Sequence, residues 1–226
     1  MRLVALFAAL IIALVTSCSG SGGQATAVQK ATLPDGATLL TDSATAMRAV
    51  TTTHFAVDVQ GNAPGVQLRS ADGQLTREGS AQGTAKVDEG RQILELQFVI
   101  IGQTLYLRPP TGPVQKLPLS FAGEVYDPSV ILNPDRGIAA ALASGTGATT
   151  EAREQVDGVD SYRLRVQFPA QPLGTLVPGL APDKPSEIWV SAQGSRLVQA
   201  QFPTAYGTAT VKFSEFDAPV DITPPA

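Results

Sequence analysis

Residues 92–108 read "QILELQFVIIGQTLYLR". Leu94, Leu96, Phe98 and Ile100 fall on one side of an extended chain, with the two-residue period of a β-strand. Ile93, Val99 and Ile101 fall on the other side. Gly102-Gln103 then predicts a turn into a second strand that carries Leu105 and Leu107. A strand that is apolar on both faces must be covered on both, by protein or by something else.

The same period extends in both directions. Upstream, "HFAVDVQG" sets Phe55, Val57 and Val59 against His54, Asp58 and Gln60. "VQLRSADGQLTR" starts in phase at Val66 and Leu68 and slips before Leu75, so Asp72-Gly73 is expected to form a bulge or turn. "GTAKV" continues the pattern. Downstream, strands are expected at 151–156 and at 159–168, where Tyr162, Leu164, Val166 and Phe168 alternate with Arg163, Arg165 and Gln167. "SEIWVSA", "RLVQAQF" and "TATVKFSEF" read as a closing three-strand meander that turns at Gln193-Gly194.

Helical spacing appears in three places. Leu39, Leu40, Ala44, Met47 and Val50 predict an amphipathic helix over 37–50. Asp127-Pro128 and Asn133-Pro134 each put a capping residue before a proline, which suits helix starts at 128–132 and 134–143. Segments 109–127 and 169–185 read as Pro/Gly-rich loops, and "SGTGAT" after Ala143 as a helix stop and linker. The fold class is α+β: about ten antiparallel strands in a curved sheet, with helices on one face.

The amino terminus is of another kind. "LVALFAALIIALV", residues 3–15, has thirteen uncharged residues. As a helix it would span about 20 Å, short of the hydrocarbon core of a membrane, and it fits the apolar segment of a secretory signal. Val15-Thr16-Ser17-Cys18 follows, with the form of a bacterial lipobox. Cys18 is the only cysteine in the chain, so no intramolecular disulfide forms. Its thiol is expected to carry the diacylglyceryl anchor. The organisation is then a lipoprotein signal peptide at 1–17, the acylated cysteine and a flexible tether at 18–35, one domain at 36–217 and an extended tail at 218–226. The net charge is −4 and there is no basic run, which argues against nucleic acid as a partner.

Catalytic chemistry is thin. His54 is the only histidine, and it sits on the polar phase of its strand. No nucleophile elbow or phosphate loop occurs. The close carboxylates Asp88/Glu89, Glu151/Glu154, Asp157/Asp160 and Glu215/Asp217 fall in turns or at strand ends, without the histidine or third carboxylate of a metal site. The reading is therefore no enzyme, no metal and no cofactor. The apolar excess leaves two explanations. One is a packed core under the helices. The other is a hollow that the helices hold open for a ligand. Leu117, Leu119 and Phe121 in one loop, and Leu173, Leu176 and Val177 in another, are candidates for its rim.

Two segments, "VYDPSVILNPDRGIAAALA" at 125–143 and "SEIWVSAQGSRLVQAQF" at 186–202, resemble the mycobacterial LppX/LprA/LprF/LprG lipoprotein family. The lipobox, the early helix, "NAPGVQL" and "QFVIIGQTLY" come in the same order, so the resemblance covers the mature chain. One departure is Ser214-Glu215-Phe216, where the family has Ser-x-Trp. The resemblance implies a half-barrel like that of the LolA/LolB carriers, with helices across the concave face enclosing a hydrophobic cavity. It implies a monomer on the outer face of the plasma membrane that carries multi-acylated lipid or glycolipid towards the outer envelope, with a membrane lipid exporter as a further partner. Phe55, Val57, Leu68, Leu94, Leu96, Phe98, Leu105, Leu164, Val166 and Val190 are then expected to face the cavity. The alternative is a regulatory lipoprotein whose half-barrel recognises a protein partner.

Overall fold

A computed structural model describes residues 32–61, 68–89, 92–122, 128–176, 184–204 and 207–225. Helix α1 (Gly36–Ala49) opens the domain. The Asp35 carboxylate caps it by accepting the Thr38 backbone N–H at 2.8 Å. These bonds, with that from the Thr38 hydroxyl, hold the Asp35 carboxyl below its usual range. Leu39, Leu40, Ser43, Ala44 and Met47 form the buried stripe of the helix. At its end the Arg77 guanidinium donates to the carbonyls of Arg48 and Val50, which the helix leaves open.

The strands are β1 (Thr52–Gly61), β2 (Leu68–Thr76), β3 (Ala81–Glu89), β4 (Gln92–Ile101), β5 (Thr104–Arg108), β6 (Gln115–Pro118), β7 (Thr146–Val156), β8 (Val159–Gln167), β9 (Ser186–Ser191), β10 (Leu197–Thr204) and β11 (Gly207–Ser214). They form one open antiparallel sheet in the order β6-β5-β4-β3-β2-β1-β11-β10-β9-β8-β7. Because β1 pairs with β11, the first and second halves of the chain each supply one flank. Register aligns the apolar faces into continuous rows. One runs Leu164, Ile188, Ala200, Val211, Val57, Ala71, Ala85 and Leu96, each opposite the next. Helices α1, α2 (Pro128–Ile131), α3 (Ile138–Ala143) and α4 (Ala170–Leu176) complete the fold, with α1 packed on α3 and β7.

Several expectations change. Asp72-Gly73 neither turns nor bulges. The phase slip lies at Arg69, where the β2–β3 register shifts between Leu68 and Ser70. Gly73 sits opposite Gly83, and a Cβ on either would lie 2.2 or 2.1 Å from the neighbouring strand's carbonyl oxygen. The two glycines permit that close backbone approach. The "SGTGAT" segment does stop a helix, with Ser144 capping α3, but from Thr146 it is the start of β7 and not a linker, with a register shift between Thr146 and Thr149 and Gly147 at φ 63°. β6 was hidden in a Pro/Gly loop. Pro118 is tolerated there because β6 is an edge strand. α4 was hidden too, since Pro172 stands in its first turn, where no intrahelical N–H is needed. α3 starts at Ile138, not Pro134. The Asn133 side chain accepts the N–H groups of Asp135 and Arg136 and closes a turn ahead of it.

The outer face of β4 is only partly covered. Val99 faces Tyr106 and Ile101 faces Thr104, but Ile93 is 63% exposed. Towards β7–β9 the outer face is charged: Arg163 lies within 4.0 Å of Glu151, Glu154 and Glu187. Trp189 donates its indole N–H to Glu154 at 2.6 Å.

Candidate functional site

The helices do not cover the inner face evenly. α1 seals the β8–β9 end. Gly145 lies so close beneath it that a Cβ there would meet Val166, Phe168 and Leu40 within 3.0 Å. Leu164, Val166 and Val190 are fully buried. Beside them, α2, α3 and α4 bridge the middle of the sheet and leave a cavity of about 100 Å³. Its floor is Phe55 and Val57 of β1, Leu75 of β2, Ile188 of β9, Leu197, Ala200 and Phe202 of β10, and Val211 and Phe213 of β11. Its roof is Ile131, Ile138, Ala141, Leu142, Phe168, Leu173 and Leu176. Every lining residue is apolar. Phe168 and Phe202 meet edge to face at 6.4 Å, closing the roof onto the floor. An empty cavity forfeits about 24 cal/mol per Å³ of contact, here about 2 kcal/mol.

The residues expected at the cavity separate into three groups. Phe55 and Val57 border it, and so do Leu173 and Leu176, expected at the rim. Leu164, Val166 and Val190 share the cavity's face of the sheet but do not border it, because α1 lies over them. Phe98 and Leu105 are buried, and Leu68, Leu94 and Leu96 half-buried, on the same face of the β2–β5 flank. Leu119 is buried in a 3-10 turn and Leu117 is half-buried in β6. Cys18, Val177 and the Phe121 side chain lie outside the described residues. Twelve of the sixteen lining residues were not among those expected, Ala141, Ala200, Ile138 and Phe202 among them. The two alanines carried no apolar signal of their own, and Phe202 ended a strand whose phase is shifted by a bulge between Leu197 and Gln199.

On the outer face, Ser214 Oγ, His54 and Asp72 stand in a row, with contacts of 3.4 and 3.2 Å. The order is that of a hydrolase triad, but the geometry is that of cross-strand polar neighbours. His54 pairs directly with Ser214 across β1 and β11. The serine contact is longer than a nucleophile–base bond, and the Asp72 side chain is 63% exposed. Among the described residues no three His, Cys, Asp or Glu side chains cluster as metal ligands. No described helix is long and apolar enough to cross a membrane.

Residues 35–222 match the model of the LppX_LprAFG lipoprotein family. The chain belongs to that family. Its relatives include the lipoarabinomannan carrier protein LprG of Mycolicibacterium smegmatis, 35% identical over 95% of this chain and 91% of that one. LprG of Mycobacteroides abscessus is 33% identical over 96% of each chain. Among solved structures, LprF from Mycobacterium bovis superposes with a TM-score of 0.76 at 25% identity, covering 84% of this chain and 97% of that one. LppX from Mycobacterium tuberculosis superposes at 0.62 with 20% identity, a likeness of fold. The half-barrel expected from the resemblance is the architecture found.

Proposed function

We propose that the protein is a membrane-anchored carrier that holds the acyl chains of a lipid or glycolipid in the cavity beneath α2–α4 and assists their passage towards the outer envelope. The observation that carries this reading is a wholly apolar hollow kept open inside an otherwise packed fold. The names of the LprG relatives support a lipoglycan as the cargo. Exposing one sixteen-carbon chain to water costs about 12 kcal/mol, so a lipid does not cross an aqueous space unaided. Burial alone removes that barrier, and no catalytic group is required.

The cavity of about 100 Å³ is smaller than the roughly 300–1,000 Å³ of typical ligand sites. A multi-acylated cargo therefore requires the short helices α2–α4 to move outward. Further chain length would lie along the half-buried Leu68, Leu94, Leu96 and Leu107 of the other flank. Cys18 supplies the anchor on the outer face of the plasma membrane. A tether of about fifteen residues reaches about 20 Å as a coil and about 50 Å at full extension. The protein thus loads close to its own membrane and hands its cargo to another component, such as an exporter.

The test is transfer of a fluorescent diacyl lipid between donor and acceptor vesicles. The protein should accelerate it, and an unchanged rate would overturn the carrier. In cell fractionation, Cys18→Ala should move the protein out of the membrane fraction. Retention with an uncleaved signal would contradict the anchor.

A further inference from the structure

Every residue that borders the cavity is apolar. An acyl chain finds burial there, but the ester oxygen at its head finds no donor. Donors stand beside it. Among the described residues, three buried side-chain hydroxyls have no hydrogen-bond partner: Ser43 of α1, Thr150 of β7 and Ser186 of β9. Ser43 is 0% exposed and Ser186 1%. Buried hydroxyls elsewhere are satisfied. Thr53 donates to the Ser214 carbonyl at 2.9 Å, Ser161 to that of Val159 at 3.0 Å and Ser191 to that of Gln193 at 2.8 Å. A hydroxyl buried without a partner lowers stability, so three in one place call for a reason.

The three belong to one patch. Ser186 pairs with Val166 and Thr150 with Leu164. Paired residues share a face of the sheet, so Thr150 and Ser186 stand on the inner face with them. Ser43 lies on the buried stripe of α1, one turn after Leu40. Leu40, Val166 and Phe168 converge at Gly145, where a Cβ would lie 3.0, 2.7 and 2.8 Å from them. The patch abuts the cavity, because Phe168 belongs to the cavity's roof. Ile188, two residues beyond Ser186 and on the same face, belongs to its floor. α3 roofs the cavity and packs on α1. The outward movement that a multi-acylated cargo requires of this roof therefore opens the cavity towards the three hydroxyls.

The surroundings select the ligand group. None of the residues that form the patch is charged, so a phosphate would lose its hydration there without recovering it. An ester carbonyl is an acceptor only, it sits where an acyl chain begins, and each hydroxyl offers it one donor. We propose that Ser43, Thr150 and Ser186 donate to the ester carbonyls of the cargo once its chains have widened the cavity. The inference rests on the carrier reading and adds a selection to it. Cargo is chosen by linkage as well as by apolar volume, and acyl esters are held in preference to ethers of the same length.

The test uses the full-length protein and detergent micelles that contain equal amounts of two lipids, dipalmitoyl phosphatidylcholine and its dihexadecyl ether analogue. These differ only in the two carbonyl oxygens. Native mass spectrometry counts each lipid on the protein. The parent should hold the ester about tenfold over the ether, the scale of one or two hydrogen bonds. In the triple variant Ser43→Ala, Thr150→Val and Ser186→Ala the ratio should fall towards one, with an unfolding midpoint no lower than the parent's. Equal amounts of ester and ether on the parent, or a ratio that the variant keeps, would overturn the inference. So would a lowered midpoint, which would mean that the hydroxyls already have partners in the unloaded protein. Uptake of neither lipid by the parent would overturn the carrier reading and this inference with it, whereas equal uptake of both would overturn the inference alone.

Discussion

Two stretches of one sheet face, built from the same kinds of residue, meet different roofs. Under α1, Leu164, Val166 and Val190 are fully buried against a single regular helix. Under α2–α4, Phe55, Val57, Ile188, Ala200 and Val211 border a void. The rows are continuous, since Leu164 faces Ile188 and Ile188 faces Ala200. The floor therefore does not decide which part is core and which is cavity. The roof does. A long amphipathic helix presents a full stripe to the sheet, whereas three short helices interrupted by turns cannot close it.

That contrast is easiest to break at its packed end. Leu164→Ala should cost about 2–5 kcal/mol, because nothing can relax into the space under α1. Denaturant unfolding measures it, and a loss below about 1 kcal/mol would mean that this end is as loose as the other. At the cavity the sign reverses. Ala200→Leu places new methyl groups in the void and should raise stability by up to about 2 kcal/mol while lowering lipid uptake. A destabilised Ala200→Leu would show that the space is filled already.

The β2–β5 flank sharpens the comparison. Leu96→Trp alters a half-buried position in the same row as Ala200, away from the cavity. It should lower uptake of multi-acylated lipid by less than Ala200→Leu does and barely change stability. Equal uptake by the variant and the parent, measured with a three-chain lipid, would confine cargo to the cavity.

The smallest effect concerns the seam where the two flanks join. Partial burial pushes the Asp217 carboxyl up. Bonds from the Thr51 backbone N–H and hydroxyl, together with Arg196, outweigh this and hold it below the usual carboxylate range. A lowered folded pKa means that its stabilisation is complete above the unfolded value of about 4 and is lost as pH falls through the folded value. Asp217→Asn should therefore cost a few tenths of a kcal/mol at pH 7, after solvent screening, and the difference should narrow at acid pH, below about 4. An unchanged gap at that pH would assign the effect to packing.

Part of the floor was legible in sequence, because period-two alternation fixes which residues share a face wherever the phase is unbroken. Phe55 and Val57 follow from it directly. It failed at bulges. The slip at Arg69 was placed at Asp72-Gly73, because Ala71 and Gly73 are too small to mark the phase. The roof was less legible. α4 is seven residues long and contains Pro172 and Gly174, so local propensity argues against a helix that only packing onto the sheet sustains. The cavity itself depends on Ala141 and Ala200, and a void made by small residues leaves no apolar pattern to find.

The central claim is that the hollow under α2–α4 holds acyl chains. Native mass spectrometry tests it most directly, on the Cys18→Ala protein purified from an actinobacterial host and compared with the same protein carrying Ala200→Leu. The account predicts co-purified species with two or three acyl chains on the first, sharply reduced on the second. A ligand-free protein that takes up no such lipid when offered it, or equal lipid on both, would contradict the account and favour recognition of a protein partner.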